Sequence, residues 1–242
     1  MLSTGRLYRQ RARDNYSREP ATCLDCHSGN TRDSAMYVPP YFAQHDPVAL
    51  RSFVREHSFA TFVSKSADGA LIASHLPLLL EEEGPQEMLV GHMARANRQW
   101  HALEGCPVLA VFTGPHAYIS PTWYAEPNTV PTWNYTAVHV HGICRLVQDD
   151  EQLVRMLQDH VRFYERSMAE PWHFDSQTDF ARRLAAQVVG FRVEILHWEA
   201  QWKLGQNHSA ARRRRTIEAL NAQSGEGARE LACLMRATLA DD

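Results

Sequence analysis

At 242 residues, 44% of them apolar and with a formal net charge of −3, the chain is long enough for one large domain and apolar enough to bury a core. A near-neutral balance gives no global case for nucleic acid. No apolar run approaches the roughly 18 residues of a membrane span, the N-terminus lacks the apolar segment of a signal peptide, and five scattered cysteines do not make a disulfide framework, so the expectation is a cytoplasmic protein.

Residues 1–35 are rich in Arg, Ser, Asn and Asp and carry no periodic apolar pattern, which reads as a flexible N-terminal extension. Within it, Cys23-Leu24-Asp25-Cys26-His27 matches the C-x-x-C-H pattern of haem attachment. That motif is short, no export signal accompanies it, and nothing nearby supplies a fourth zinc ligand. An inert tail is the simpler reading. Met36-Tyr37-Val38-Pro39 reads as the start of a folded domain running to residue 222, and Met36 is also a candidate initiator.

Asp46-Pro47 opens a helix, with Asp46 as N-cap, Pro47 at the first helical position and Val48, Leu50, Phe53 and Val54 as its apolar face. Phe59–Ser64 is a strand, Ala67-Asp68-Gly69 a hairpin turn, and Leu71–Leu80 the returning strand. Pro77 in that strand marks an edge or a bulge. Beside it, His75 is either a half-buried edge residue or a group turned toward a ligand. Residues 81–85 read as a solvated turn, and Met88–His92 as a third strand. Met93–Trp100 reads as the start of a helix, whose free N–H groups, with Arg95 or Arg98, suit a phosphate.

Val108–Phe112 is a buried strand that Gly114-Pro115 breaks and Ala117–Pro121 resumes. Alternation along Thr132–Gly142 puts Trp133, Tyr135, Ala137, His139 and His141 on one face of a long strand, with neither face purely polar, as in a closed barrel or at a dimer seam. His139 and His141, with His116, have a spacing open to metal, but no Asp or Glu close in sequence completes a set, and hydrogen-bonded histidines are the preferred reading. A helix follows from Asp149-Asp150, another spans Gln177–Gln187, a strand covers Val188–Leu196, and Ala200–Asn207 is a polar segment anchored by Trp202. Ser209 begins a basic helix. Its run Arg212–Arg215 invites a DNA reading, but four consecutive arginines spread around a helix and no helix-turn-helix pattern accompanies them, so a solvated face or an anion contact is preferred. Residues 223–242 form a C-terminal helical tail. There is no Ser-His-Asp order, no nucleophilic-cysteine motif and no Walker or Rossmann loop, so catalytic residues stay unassigned.

Taken together, Met36–Pro39, Ser74-His75-Leu76-Pro77-Leu78, Gly91-His92-Met93-Ala94-Arg95-Ala96-Asn97, Gly114–Pro121, Val130–Tyr135 and Lys203-Leu204-Gly205-Gln206-Asn207 resemble the PaiB-type proteins, the FMN-binding negative transcriptional regulators. The resemblance runs from Met36 to about Leu220. It implies a mainly β fold with peripheral helices, a split β-barrel similar to the pyridoxamine-phosphate-oxidase-like flavoproteins, usually a homodimer with ligand sites at the subunit seam. It implies FMN as cofactor, held by His75, Leu76, Pro77 and Leu78 along the flavin, by His92, Ala94, Arg95 and Asn97 near the phosphate, and by Lys203, Gln206 and Asn207 closing the site. The Gly114–Gly142 stretch would supply aromatics to the interface. The sequence departs from the pattern at Gly205, where serine is usual, at His208, where arginine is usual, and at Arg212, where an acidic residue is usual. Alternative functions are an FMN-dependent oxidoreductase and a haem-handling protein.

Overall fold

Six strands, β1 (Phe59–Lys65), β2 (Leu71–Glu81), β3 (Met88–Ala94), β4 (Pro107–Ile119), β5 (Thr132–Leu146) and β6 (Val188–Lys203), close into one antiparallel barrel in the order β1-β2-β3-β6-β5-β4. The computed structural model describes residues 36–81 and 86–239. The N-terminal extension with Cys23, Cys26 and His27, and most of the turn at 81–85, lie outside the described residues. Five helices surround the strands: α1 (Pro47–Glu56), α2 (Asp150–Glu165), α3 (Asp179–Ala185), α4 (Ala210–Asn221) and α5 (Glu226–Ala237). This is the mainly β split barrel with peripheral helices that the resemblance implies. No helix among the described residues is long and apolar enough to cross a membrane.

The interior is filled by one side of each strand's alternation. Phe62, Phe112 and Phe191 are fully buried there, and the Phe62 and Phe191 rings lie 4.9 Å apart. α1 starts where the sequence says it should: Asp46 accepts from the Val48 N–H, and Pro47 occupies the first turn. The helix closes one end of the barrel by pressing Phe53 against Trp202 at 5.0 Å. At the opposite end buried Gln99 is tied by its side-chain amide to the Ser64 and Ser74 hydroxyls. A second cluster forms outside, where α4 and α5 bury Ile217, Leu220, Leu231 and Met235 against Ile119, Tyr124 and Leu204. The C-terminal helix thus packs on the barrel domain.

Three local expectations are corrected. Met93–Trp100 does not begin an α-helix. β3 runs on to Ala94, paired with Val188, and only a 3₁₀ turn over Arg98–Ala102 follows, capped by the Asn97 side chain. A turn that short has almost no dipole to offer a phosphate. Gly114-Pro115 does not end the fourth strand. The pair sits in a bulge between Thr113 and His116, and pairing with β5 continues on both sides. β6 does not stop at Leu196. It extends to Lys203 along β5, past a register shift opposite His141 and Gly142.

That extension creates the split. β3 pairs β6 only up to Glu194, so beyond this point the second edge of β6 is free of β3. The segment after Met36 takes its place locally: Ala43 bridges to Gln201, and the Gln44 N–H donates to the Ala200 carbonyl at 3.2 Å.

Candidate functional site

Two groups of candidate residues occupy different regions of the barrel. The first lies on β2 and β3. Alternation turns Leu76 and Leu78 inward; Leu78 is fully buried, so at these positions only the backbone can face a ligand. His75 turns outward, with Nδ1 3.2 Å from the Thr61 hydroxyl and its ring 6.3 Å from exposed Phe59. Pro77 faces the same way. β2–β3 pairing begins only at Leu78, one residue later, so the missing proline N–H breaks no ladder bond to β3. His92 on β3 shares this outer face. Its Nδ1 is buried without a hydrogen-bond partner, and burial first, then the nearby His160, pushes its pKa down to about 4.

Past His92, Ala94 is exposed. Arg95 is committed to structure: its guanidinium donates to the Ala186 and Val188 carbonyls, both at 2.9 Å. Asn97 donates to the Ser74 hydroxyl at 2.9 Å while accepting from the Gln99 N–H. Arg98, beside it, is exposed.

The second group ends β6. Lys203 donates through Nζ to the Thr132 hydroxyl at 2.8 Å. Gln206 folds back, accepting from the Leu204 N–H and donating to the Trp202 carbonyl, and so holds the turn, while Asn207 is exposed. The turn passes through Gly205 at φ +82°, a conformation that favours glycine.

The two groups lie on different strands: β3 pairs with β6 only over Val188–Glu194, and Lys203 is nine residues further along β6. Concavities of about 340 Å³ beside α1 and about 290 Å³ beside α2 are lined by none of the candidate residues. What joins the groups is the outer face of the sheet. It leaves Phe59, Tyr118 and Trp133 exposed, with the Tyr118 and Trp133 rings 6.1 Å apart.

One cluster on this face was not legible in the sequence. His139 and His141 point outward from β5, as the alternation indicates, and the extension of β6 sets Glu199 directly across from His139. Glu199 accepts from His141 Nε2 at 3.0 Å and lies 3.9 Å from His139 Nδ1. Burial raises the Glu199 pKa, but hydrogen bonds from His141 and the Met36 N–H, with the charges of His141 and His197, outweigh it and hold the carboxyl below its ordinary value. Burial lowers the His139 pKa against the pull of Glu199. Treating Ala200–Asn207 as the start of a separate polar segment hid the carboxylate that completes this set.

The arginine run is largely consumed internally. Arg213 is buried and donates to the Thr238 carbonyl and hydroxyl. Arg212 lies over the Tyr124 ring at 3.6 Å, and Arg212 and Arg215 both pair with Glu126. Only Arg214 of the four is exposed.

A sequence model of the family described as "Putative FMN-binding domain" matches residues 36–197. The "Protease synthase and sporulation protein PAI 2" of Bacillus subtilis is 36% identical over 202 residues, covering 83% of this chain and 96% of that protein. The chain belongs to the PaiB-type FMN-binding family. Among solved structures, it is similar to the FAD and haem binding protein from Mycobacterium smegmatis (TM-score 0.54, 14% identity, 71% of this chain and 78% of that one). It is also similar to the flavocytochrome Anf3 from Azotobacter vinelandii (TM-score 0.53, 13% identity, 69% and 72%). At these identities the likeness shows the split-barrel fold alone.

The donor set suits the FMN of a PaiB-type family. A flavin phosphate needs cationic or N–H donors, its ring an apolar face, and its pyrimidine edge polar partners. Lys203 and exposed Arg98 offer the cations, Phe59 and Trp133 exposed aromatic surface, and His75 and Asn207 polar atoms on or beside the open face.

Proposed function

We propose that this protein is a cytoplasmic FMN-binding homodimer acting as a negative transcriptional regulator of PaiB type. Each flavin lies at the subunit seam, between the His75–His92 face of one subunit and the Lys203–Asn207 turn of its partner. The observation that carries this reading is that the two candidate groups lie on different strands of one chain, one on β2 and β3 and the other at the end of β6. A two-fold related copy laid face to face supplies the missing half of each site. The exposed Phe59, Tyr118 and Trp133 support such a seam.

When bound, FMN supplies the redox chemistry; the residues of this chain bind and orient it. His75 lines the ring, with His92 behind it under α2, Lys203 offers an ammonium to an anion, and Asn207 a terminal amide. The regulatory role rests on the PaiB-type family name alone, while the family model supports flavin binding. The arginine run does not add to it, because three of its four members are engaged within the subunit. Regulation here works through flavin-dependent change of the dimer and its contacts rather than through a basic reading helix.

The test is a titration of purified full-length protein with FMN. Absorbance of bound flavin at about 450 nm and quenched flavin fluorescence are expected at micromolar concentration. No binding at that level overturns the reading, and a Soret band on adding haem instead would move the assignment to haem. A gel-shift series in rising salt then separates phosphate-driven DNA binding, which weakens steeply, from none.

A further inference from the structure

We propose that His139, His141 and Glu199 form a binding site for a divalent first-row transition-metal ion, of which zinc is the type case, separate from the residues assigned to the flavin. One ligand atom from each residue lies within 4.8 Å of the other two. Four ligands at zinc-like bond lengths stand about 3.3 Å apart along a tetrahedral edge. The distances from Glu199 Oε2, 3.0 Å to His141 Nε2 and 3.9 Å to His139 Nδ1, bracket that value. Side-chain adjustment within the 4.8 Å set brings all three onto one ion.

The frame is stiff. His139 and His141 are two residues apart on one face of β5, and Glu199 is the ladder partner of His139. The carboxylate is also oriented from behind: the Met36 N–H lies 3.1 and 3.2 Å from its two oxygens. The Glu199 side chain is only 8% exposed, yet its ion-pair partners among the described residues are all histidines, with no lysine or arginine. A largely enclosed carboxylate whose ion-pair partners among the described residues are all histidines is a poor permanent ion pair and a good metal site. Two nitrogens and one oxygen suit zinc and its neighbours; calcium and magnesium prefer all-oxygen shells. His197 approaches the other carboxylate oxygen, at 3.6 Å, and does not join the set. Three protein ligands leave the fourth position to solvent, an open site.

The test uses full-length protein carrying Cys23→Ser and Cys26→Ser, which removes the tail thiols as competing ligands. Equilibrium dialysis against zinc should give one tightly held ion per chain. Glu199→Gln and His141→Ala should each weaken it at least about tenfold, and His139→Ala with His141→Ala should abolish it. Cobalt in the same protein should show visible bands of a four- or five-coordinate nitrogen–oxygen site. Should a variant fail to fold, X-ray absorption on the zinc-loaded parent decides: two imidazoles with oxygen neighbours support the site, and one imidazole or none overturns it. Absence of zinc binding at about 100 µM, far above the dissociation constants of structural zinc sites, or binding unchanged in the double histidine variant, also overturns it. FMN titration of the same proteins reads the flavin site independently.

Discussion

His92 on β3 meets His160 on α2 edge to face, with ring centroids 5.2 Å apart. His160 is buried, with Nδ1 bonded to the Met156 carbonyl and the Pro77 backbone also acting on the ring, while the Nδ1 of His92 is buried without a hydrogen-bond partner. Burial lowers both pKa values, that of His92 to about 4. The unfolded chain takes up protons first as pH falls, so stability rises with pH across this range. It is fully present above about pH 6.5 and is lost as pH drops toward 4. Urea melts at pH 7 and pH 5 should differ by about 2 kcal/mol from His92 alone. His92→Gln should flatten the slope; an unchanged slope would show that other buried histidines carry it.

Gly205 turns the chain from β6 into α4 at φ +82°, and its carbonyl accepts from the His208 N–H at 2.9 Å. A Cβ there would find room, with neighbours no closer than 3.8 Å, so the penalty of a side chain is conformational. Gly205→Ala or Gly205→Ser should destabilise the fold by about 1–2 kcal/mol in denaturant melts. Equal midpoints for the parent and both variants would refute it.

Arg213 and Arg214 are neighbours in sequence and opposites in environment. Arg213→Ala removes the donor to Thr238 that ties α4 to the end of α5, and should cost about 2 kcal/mol. Arg214→Ala, on the exposed side of the helix, should stay within about 0.5 kcal/mol of the parent. A larger loss for Arg214→Ala would give that residue a contact the fold does not provide. Paired thermal melts of the two variants make the comparison.

The barrel was legible where its physics is periodic. Along β5 the alternation put Trp133, Tyr135, Ala137, His139 and His141 on one face, and in the structure Ala137 alone of the five is buried. Glu199 was missed because β6 loses its period of two near Leu196, where the register with β5 shifts and a leucine lies outward at 66% exposure. A strand whose pattern ends there hides the carboxylate three residues on. The helix expected at Met93 failed for a tertiary reason. Ala94, Arg95 and Ala96 favour helix, but pairing of Ala94 with Val188 and the bonds from Arg95 to the Ala186 and Val188 carbonyls hold the chain extended. Which stretch of β6 pairs with β3 could not be read at all, since it is set by tertiary register.

Trp133 stands 53% exposed at the centre of the open aromatic face, beside Tyr118. If this face is the seam between two subunits, Trp133→Ala should weaken the dimer by at least about 2 kcal/mol, since a buried tryptophan is a typical anchor of an interface. Sedimentation velocity over a dilution series reads the change. A dimer constant identical to that of the parent would place the seam elsewhere.

Sharing of each flavin site between subunits has a consequence that no single-chain site has. Let one variant lack the β2–β3 half (His75→Ala, His92→Ala) and another the turn (Lys203→Ala, Asn207→Ala). Each alone should bind FMN far more weakly than the parent, because every site in its homodimer lacks one half. After mixing, unfolding and refolding at equal amounts, half the dimers are mixed, and each mixed dimer holds one site built from two intact halves. About a quarter of the parent's tight FMN binding should return, with the parent's affinity. Binding that stays at the level of the separate variants would mean both halves serve one chain, and the seam assignment of His75, His92, Lys203 and Asn207 would fall.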